Sequence, residues 1–214
     1  MENNVNNQVE DKNTLYLEKL RYNNNSLSYK LGLGALVCSV ISMFFALNTV
    51  DPSNFLTMIA ILGNILILLI GFLSCEKVKT YKIDYSYIML GLGGVCAARI
   101  FWFPLKTIIY WNKFVNALGG SASKCTKESY DSATALYSTK LGDSVLGKFV
   151  VDDASTGIGH VSTTGFLTCN GNVRGILMII LLAAAAAMFI LSALICIKKS
   201  KELNGYLESI NAKH

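Results

Sequence analysis

The chain has 214 residues, 52% of them hydrophobic and only 15% charged, with a net charge of +5 at pH 7 and a mean hydropathy of +0.44. Soluble domains carry about 25% charged residues, so this composition excludes an ordinary soluble globular domain and points to a membrane protein. The positive charge flanks apolar runs and forms no Lys/Arg-rich block or aromatic-interleaved basic stripe, which excludes nucleic acid as a partner.

In chain order, residues 1–30 are polar and Asn-rich, with too little to bury, and read as a disordered cytoplasmic segment. Within it Thr14–Tyr22 carries Leu15, Leu17 and Leu20 among charges, and reads either as a short interfacial helix or as a partly ordered tail. So long a polar lead is unlike a cleavable signal, and the first span is expected to be retained.

Four apolar runs follow, at about 31–50, 55–75, 85–105 and 175–197. A crossing needs roughly 20 apolar residues to match about 30 Å of hydrocarbon. Lysines and arginines set the orientation: Lys19, Arg21 and Lys30 precede the first run, Lys77, Lys79 and Lys82 lie between the second and third, and Lys198, Lys199 and Lys201 follow the fourth. The positive-inside rule puts both termini in the cytoplasm of a cell-membrane protein, and the long 106–174 loop outside. The expected fold is an all-α membrane protein. It is a four-helix transmembrane bundle, N-in and C-in, with a small mixed α/β extracytoplasmic domain between helices 3 and 4.

The spans carry small-residue faces: Ala35, Ser39 and Ser42 in the first; Gly91, Gly94 and Ala98 in the third. Lipid is as apolar as leucine, so helices associate in it by close packing, which small residues permit. Two polar residues stand out. Asn64 lies near mid-bilayer and should face a neighbouring helix. Arg99 is the one charge inside an apolar run, about 21 Å up a 30 Å core, where a guanidinium costs about 2.5–3.5 kcal/mol. On a helical wheel it falls roughly 80° from Gly91, flanking the small face. It either binds an anion or carboxylate inside a bundle, or snorkels to outer phosphates beside Trp102.

Pro104 is expected to kink or end the third span. Beyond it Leu105, Ile108, Trp111, Val115 and Leu118 form one stripe, expected to lie at the outer interface with Tyr110 and Trp111 as anchors. Ser129–Thr139 reads as helix; Leu146–Val151 and His160–Cys169 read as two strands joined by a turn. Cys125 and Cys169 are the two cysteines on the outer side. A disulfide between them would close about 44 residues and stabilise the loop by roughly 4 kcal/mol. In the 198–214 tail, Leu203, Tyr206, Leu207 and Ile210 mark a short amphipathic helix, resting on the inner leaflet or docking a partner.

Enzyme signatures are missing: no CxxC, HExxH, GxSxG or Walker-type loop, and neither His160 nor His214 has a metal-ligand neighbour at ligand spacing. The outline is similar to that of tetraspanins, but their Cys-Cys-Gly loop motif is absent. No cofactor, metal or catalytic residue is expected. The sequence favours a non-enzymatic structural or accessory subunit of a membrane complex, in contact with lipid and with other subunits or itself. A homo-oligomeric channel or transporter component lined by Arg99 is the alternative, and a membrane thiol oxidoreductase comes third.

Overall fold

The computed structural model describes residues 14–20, 23–47, 55–162 and 170–211. It is mostly helical: α1 (14–20), α2 (Ser26–Leu47), α3 (Phe55–Lys79), α4 (Ile83–Trp102), α5 (Pro104–Ala117), β1 (Cys125–Thr126), α6 (Lys127–Tyr137), α7 (Asp143–Leu146), β2 (Lys148–Asp153), β3 (Ile158–Ser162) and α8 (Gly171–Asn211). Among the described residues three helices are long and apolar enough to cross a membrane: Ser26–Ala46, Ile83–Ala117 and Gly171–Asn211.

α8 is the axis of the fold. Its 41 residues run unbroken, about 61 Å at 1.5 Å per residue. The amphipathic tail expected as a separate element is its last turns, because only Gly205 interrupts the helix formers after the apolar run. α2 and α4 pack along α8, α3 packs on α2 and α4, and α5 lies beside the first turns of α8.

The interhelical core consists of small and sulfur-bearing residues, including Ala35, Cys75, Met89, Cys96, Ala185, Ala193 and Cys196 around Phe189. Backbones approach closely where glycine removes the side chain. A Cβ on Gly93 would stand 3.2 Å from the Ala186 carbonyl oxygen, and one on Gly32 would stand 2.5 Å from Cys75 Sγ.

One end of the bundle is closed by buried polar contacts. The Asn25 N–H donates to the Lys79 carbonyl (2.9 Å), Ser192 Oγ to the Ser28 carbonyl (2.6 Å) and Ser200 Oγ to the Tyr81 carbonyl (2.6 Å). Asn25 Nδ2 donates to Ser28 Oγ at 2.8 Å. These bonds tie the start of α2, the α3–α4 turn and α8 together.

Pro104 leaves the chain nearly continuous. Phe103 keeps a helical conformation (φ −89°, ψ −54°), Phe103 N–H still reaches the Arg99 carbonyl at 3.4 Å, and Thr107 N–H reaches the Phe103 carbonyl at 2.9 Å. A proline at the first helical position lacks only an N–H that would have no partner there. α5 therefore runs on along the first turns of α8. Trp111, expected as an interfacial anchor, is instead 4% exposed and packs on Gly171.

Trp111 belongs to a second core under the small sheet-bearing domain between α4 and α8, with Phe114, Leu118, Cys125, Ala133, Leu141, Val145 and Leu146. Phe114 meets Tyr130 and Tyr137 edge-on at 6.4 Å. The expected 129–139 helix is α6, starting two residues earlier because Thr126 and Ser129 form a capping box. The two expected strands are β2 and β3, paired antiparallel with Val150 opposite His160 and a bulge between Val151 and Asp153. Of the expected 160–169 strand, residues 160–162 fall in β3, and the remainder lies outside the described residues. β1, too short for a periodicity signal, adds to the other edge of β3 with Cys125 opposite Gly159.

Candidate functional site: an open face of α4 beside Arg99

The interior side of α4 carries Ser86, Met89, Leu92, Gly93 and Cys96. Its opposite side is Gly91, Gly94 and Ala98, all exposed, and no described residue lies within 4 Å of a Cβ built at 91 or 94. The expected packing face of the third span is thus open on this chain, and the glycine that admits a neighbour is Gly93. Tyr87, Ile88, Val95 and Trp102 frame the open face with exposed apolar surface. On α2, Ala35, Ser39 and Ser42 are buried within the bundle, and Ser39 shares a hydrogen bond with the Cys96 thiol.

Arg99 stands on the flank of the open face. It is half-buried, and its Nη1 is shielded from solvent with no hydrogen-bond partner among the described residues. The Trp102 ring beside it is covered by Lys106, whose Nζ lies 4.9 Å from the ring centroid. Asn64 lies in a narrow crevice between α2 and α3, lined by Ser39, Val40, Met43 and Ile67. No hydrogen bond among the described residues joins it to Arg99. Asp51, the other partner the sequence offered, lies outside the described residues.

Three features escaped sequence reasoning. Arg174, read only as the end of the loop, is completely buried in the first turn of α8. Its signal was its position one residue before an apolar run. Gly171 and Gly175 face Trp111 and Ile108 on α5; their four-residue spacing was legible, but their partner helix was assigned elsewhere. Ser192, Cys196 and Ser200 repeat every fourth residue along the buried stripe of α8, a pattern hidden by the uniform apolarity around it.

The sheet-bearing domain holds a cleft of about 250 Å³ bounded by Trp111, Ala122, Ser123, His160, Val161 and Asn170. The β2–β3 pairing brings Asp152 to His160, whose Nδ1 lies 2.8 and 2.9 Å from the two carboxylate oxygens. This neighbour is eight residues away in sequence and near only across the hairpin. No group of three metal-ligating side chains occurs among the described residues. Hydrogen bonds from Ser155 and Thr156 hold the Asp153 carboxyl below its ordinary pKa.

The expected Cys125–Cys169 disulfide is not supported. Cys125 is a free thiol, 5% exposed, built into the second core by β1, and Cys169 lies outside the described residues. Burial, and then the Asp152 charge, push the Cys125 thiol above its ordinary pKa. Only the thiolate reacts, so Cys125 is expected to resist iodoacetamide at pH 8 in the folded protein and to alkylate after denaturation, as read by mass spectrometry. Rapid labelling in the native state would contradict this placement.

Comparison with known proteins brings no kinship to bear on this site: no family model matches the chain, and no curated protein and no solved structure matches it.

Proposed function

We propose that this chain is a four-span integral protein of the cell membrane, with both termini cytoplasmic. In this reading it acts as a non-enzymatic structural or accessory subunit, binding another membrane protein through the open face of α4. The observation that carries the reading is Arg99. A guanidinium nitrogen shielded from water and left unbonded costs several kcal/mol in or near hydrocarbon. Arg99 flanks a small-residue face with no described residue against Gly91 or Gly94, and a partner helix there would cover that face and offer a carboxylate or carbonyl to the part of the side chain still exposed.

The fourth span is α3. Its 25 residues make about 37 Å of helix, and Leu62, Ile65, Leu66, Leu69, Phe72 and Leu73 are exposed along it. Exposed leucines over that length suit lipid as the solvent. The lysines at 77, 79 and 82 and at 198, 199 and 201 then share the end closed by the buried polar contacts, which supports that end as the cytoplasmic one.

The test is the size of the protein extracted from native membranes in mild detergent. The wild type is expected to run as a defined assembly containing another membrane protein, and Arg99→Leu to release most of the chain from it. A homo-oligomer with anion flux lost in Arg99→Leu would favour a pore, and an unchanged assembly in Arg99→Leu would remove the role given to this residue.

A further inference from the structure

The three-stranded sheet has the order β1-β3-β2, so β2 is an edge. Its outward groups can be assigned from the neighbouring strand. Val161 N–H donates to the Ala122 carbonyl at 2.8 Å, on the β1 side of β3. Backbone groups alternate in direction along a strand, so His160 bonds toward β2, and its partner Val150 bonds toward β3. The N–H and C=O groups of Phe149 and Val151 therefore point away from the sheet. Among the described residues no backbone hydrogen bond outside the sheet engages residues 148–153. Val150 and Val151 are exposed along this edge, at 40% and 51%. An unpaired edge of this kind is a template for another strand.

The charge pattern selects the strand. The edge reads Lys148-Phe149-Val150-Val151-Asp152-Asp153, basic at one end and acidic at the other. We propose that β2 pairs antiparallel with β2 of a second copy of this chain across a two-fold axis. The direction of the free backbone groups fixes the register. Phe149 of each copy must form a hydrogen-bonded pair with Val151 of the other, giving about four backbone bonds. Val150 then meets its own copy on the axis, and Lys148 stands opposite Asp152 at both ends. Residues 148, 150 and 152 share one face, so the pairing forms a continuous stripe of two opposite-charge pairs around a valine pair. An isologous contact needs such self-complementarity. The bulge after Val151 ends the ladder there. This inference stands on the outer domain and does not depend on the role given to α4.

The experiment uses the full-length protein in native membranes. In a non-hydrogen-bonded antiparallel pair the Cα atoms stand about 4.5 Å apart, within the range a disulfide spans. Val150→Cys under mild oxidant is therefore expected to give most of the chain as a reducible band at twice 23.3 kDa. Leu136→Cys, more accessible on α6 at 65% exposure against 40% for Val150, is expected to give at least roughly fivefold less. Adding Val151→Pro deletes an outward N–H, which an edge strand tolerates, and should lower cross-linking to the Leu136→Cys level. Lys148→Asp, which sets like charges opposite each other without touching the backbone, should lower it several-fold. Cross-linking of Val150→Cys no stronger than that of Leu136→Cys, or undiminished by both added changes, would overturn the pairing.

Discussion

Gly175→Val is expected to separate α5 from α8 and to destabilise the junction between bundle and outer domain by about 3 kcal/mol, the upper end for overpacking. A Cβ at 175 would clash with Ile108 Cγ1 and stand 3.1 Å from the Pro104 carbonyl oxygen. The isoleucine could rotate, but the backbone oxygen cannot. One turn earlier Gly171 meets Trp111 the same way, at 2.5 Å from its Cβ, so both glycines set the distance between the two helices. Limited proteolysis in detergent reads the effect: the outer domain of Gly175→Val should be cut within the α5–β1 connection under conditions that leave the wild type whole. Gly94→Val, at a position with nothing within 4 Å, should leave the same cleavage unchanged, and equal sensitivity of the two variants would refute the assigned contact.

Arg174→Ala is expected to produce a loss of similar size, also about 3 kcal/mol. The side chain is the largest of those fully buried in the described structure. Its removal both empties a large volume and abandons the interactions of a buried charge, each among the few mechanisms that exceed ordinary mutational effects. Arg174→Met, which keeps the volume, should recover part of the loss. The measurement is the thermal midpoint of the detergent-solubilised protein followed by near-UV circular dichroism, which reports Trp111 and the tyrosines of the second core. A midpoint unchanged in Arg174→Ala would show that the arginine contributes no net stability.

Helix positions were legible in the sequence because apolar length is the strongest signal a membrane chain carries, and lysine placement added an expected orientation. Helix faces were less legible. In α4, Gly93 and Gly94 are adjacent in sequence but point about 100° apart; the interior face is set by Leu92 and Cys96, which no periodicity distinguishes in an apolar background. Pro104 was read correctly as the end of the third-span helix, which stops at Trp102 before α5 begins, but the course of α5 along α8 was not legible. Trp111 was assigned to the interface on residue type, whereas Gly171 had made room for it against a helix 60 residues away in sequence. The disulfide followed from compartment alone; β1, two residues long, is what buries Cys125. Arg99 was identified as the costly residue, and its unbonded Nη1 is the fact that sequence could not supply.

The most direct measurement is a photo-cross-linking amino acid placed at Ala98, on the open face of α4, and in a second protein at Leu69, exposed on α3. After irradiation of native membranes, the contact reading predicts a discrete protein adduct from position 98, lost in Arg99→Leu, with lipid adducts alone from position 69. Lipid adducts alone from both positions would contradict it.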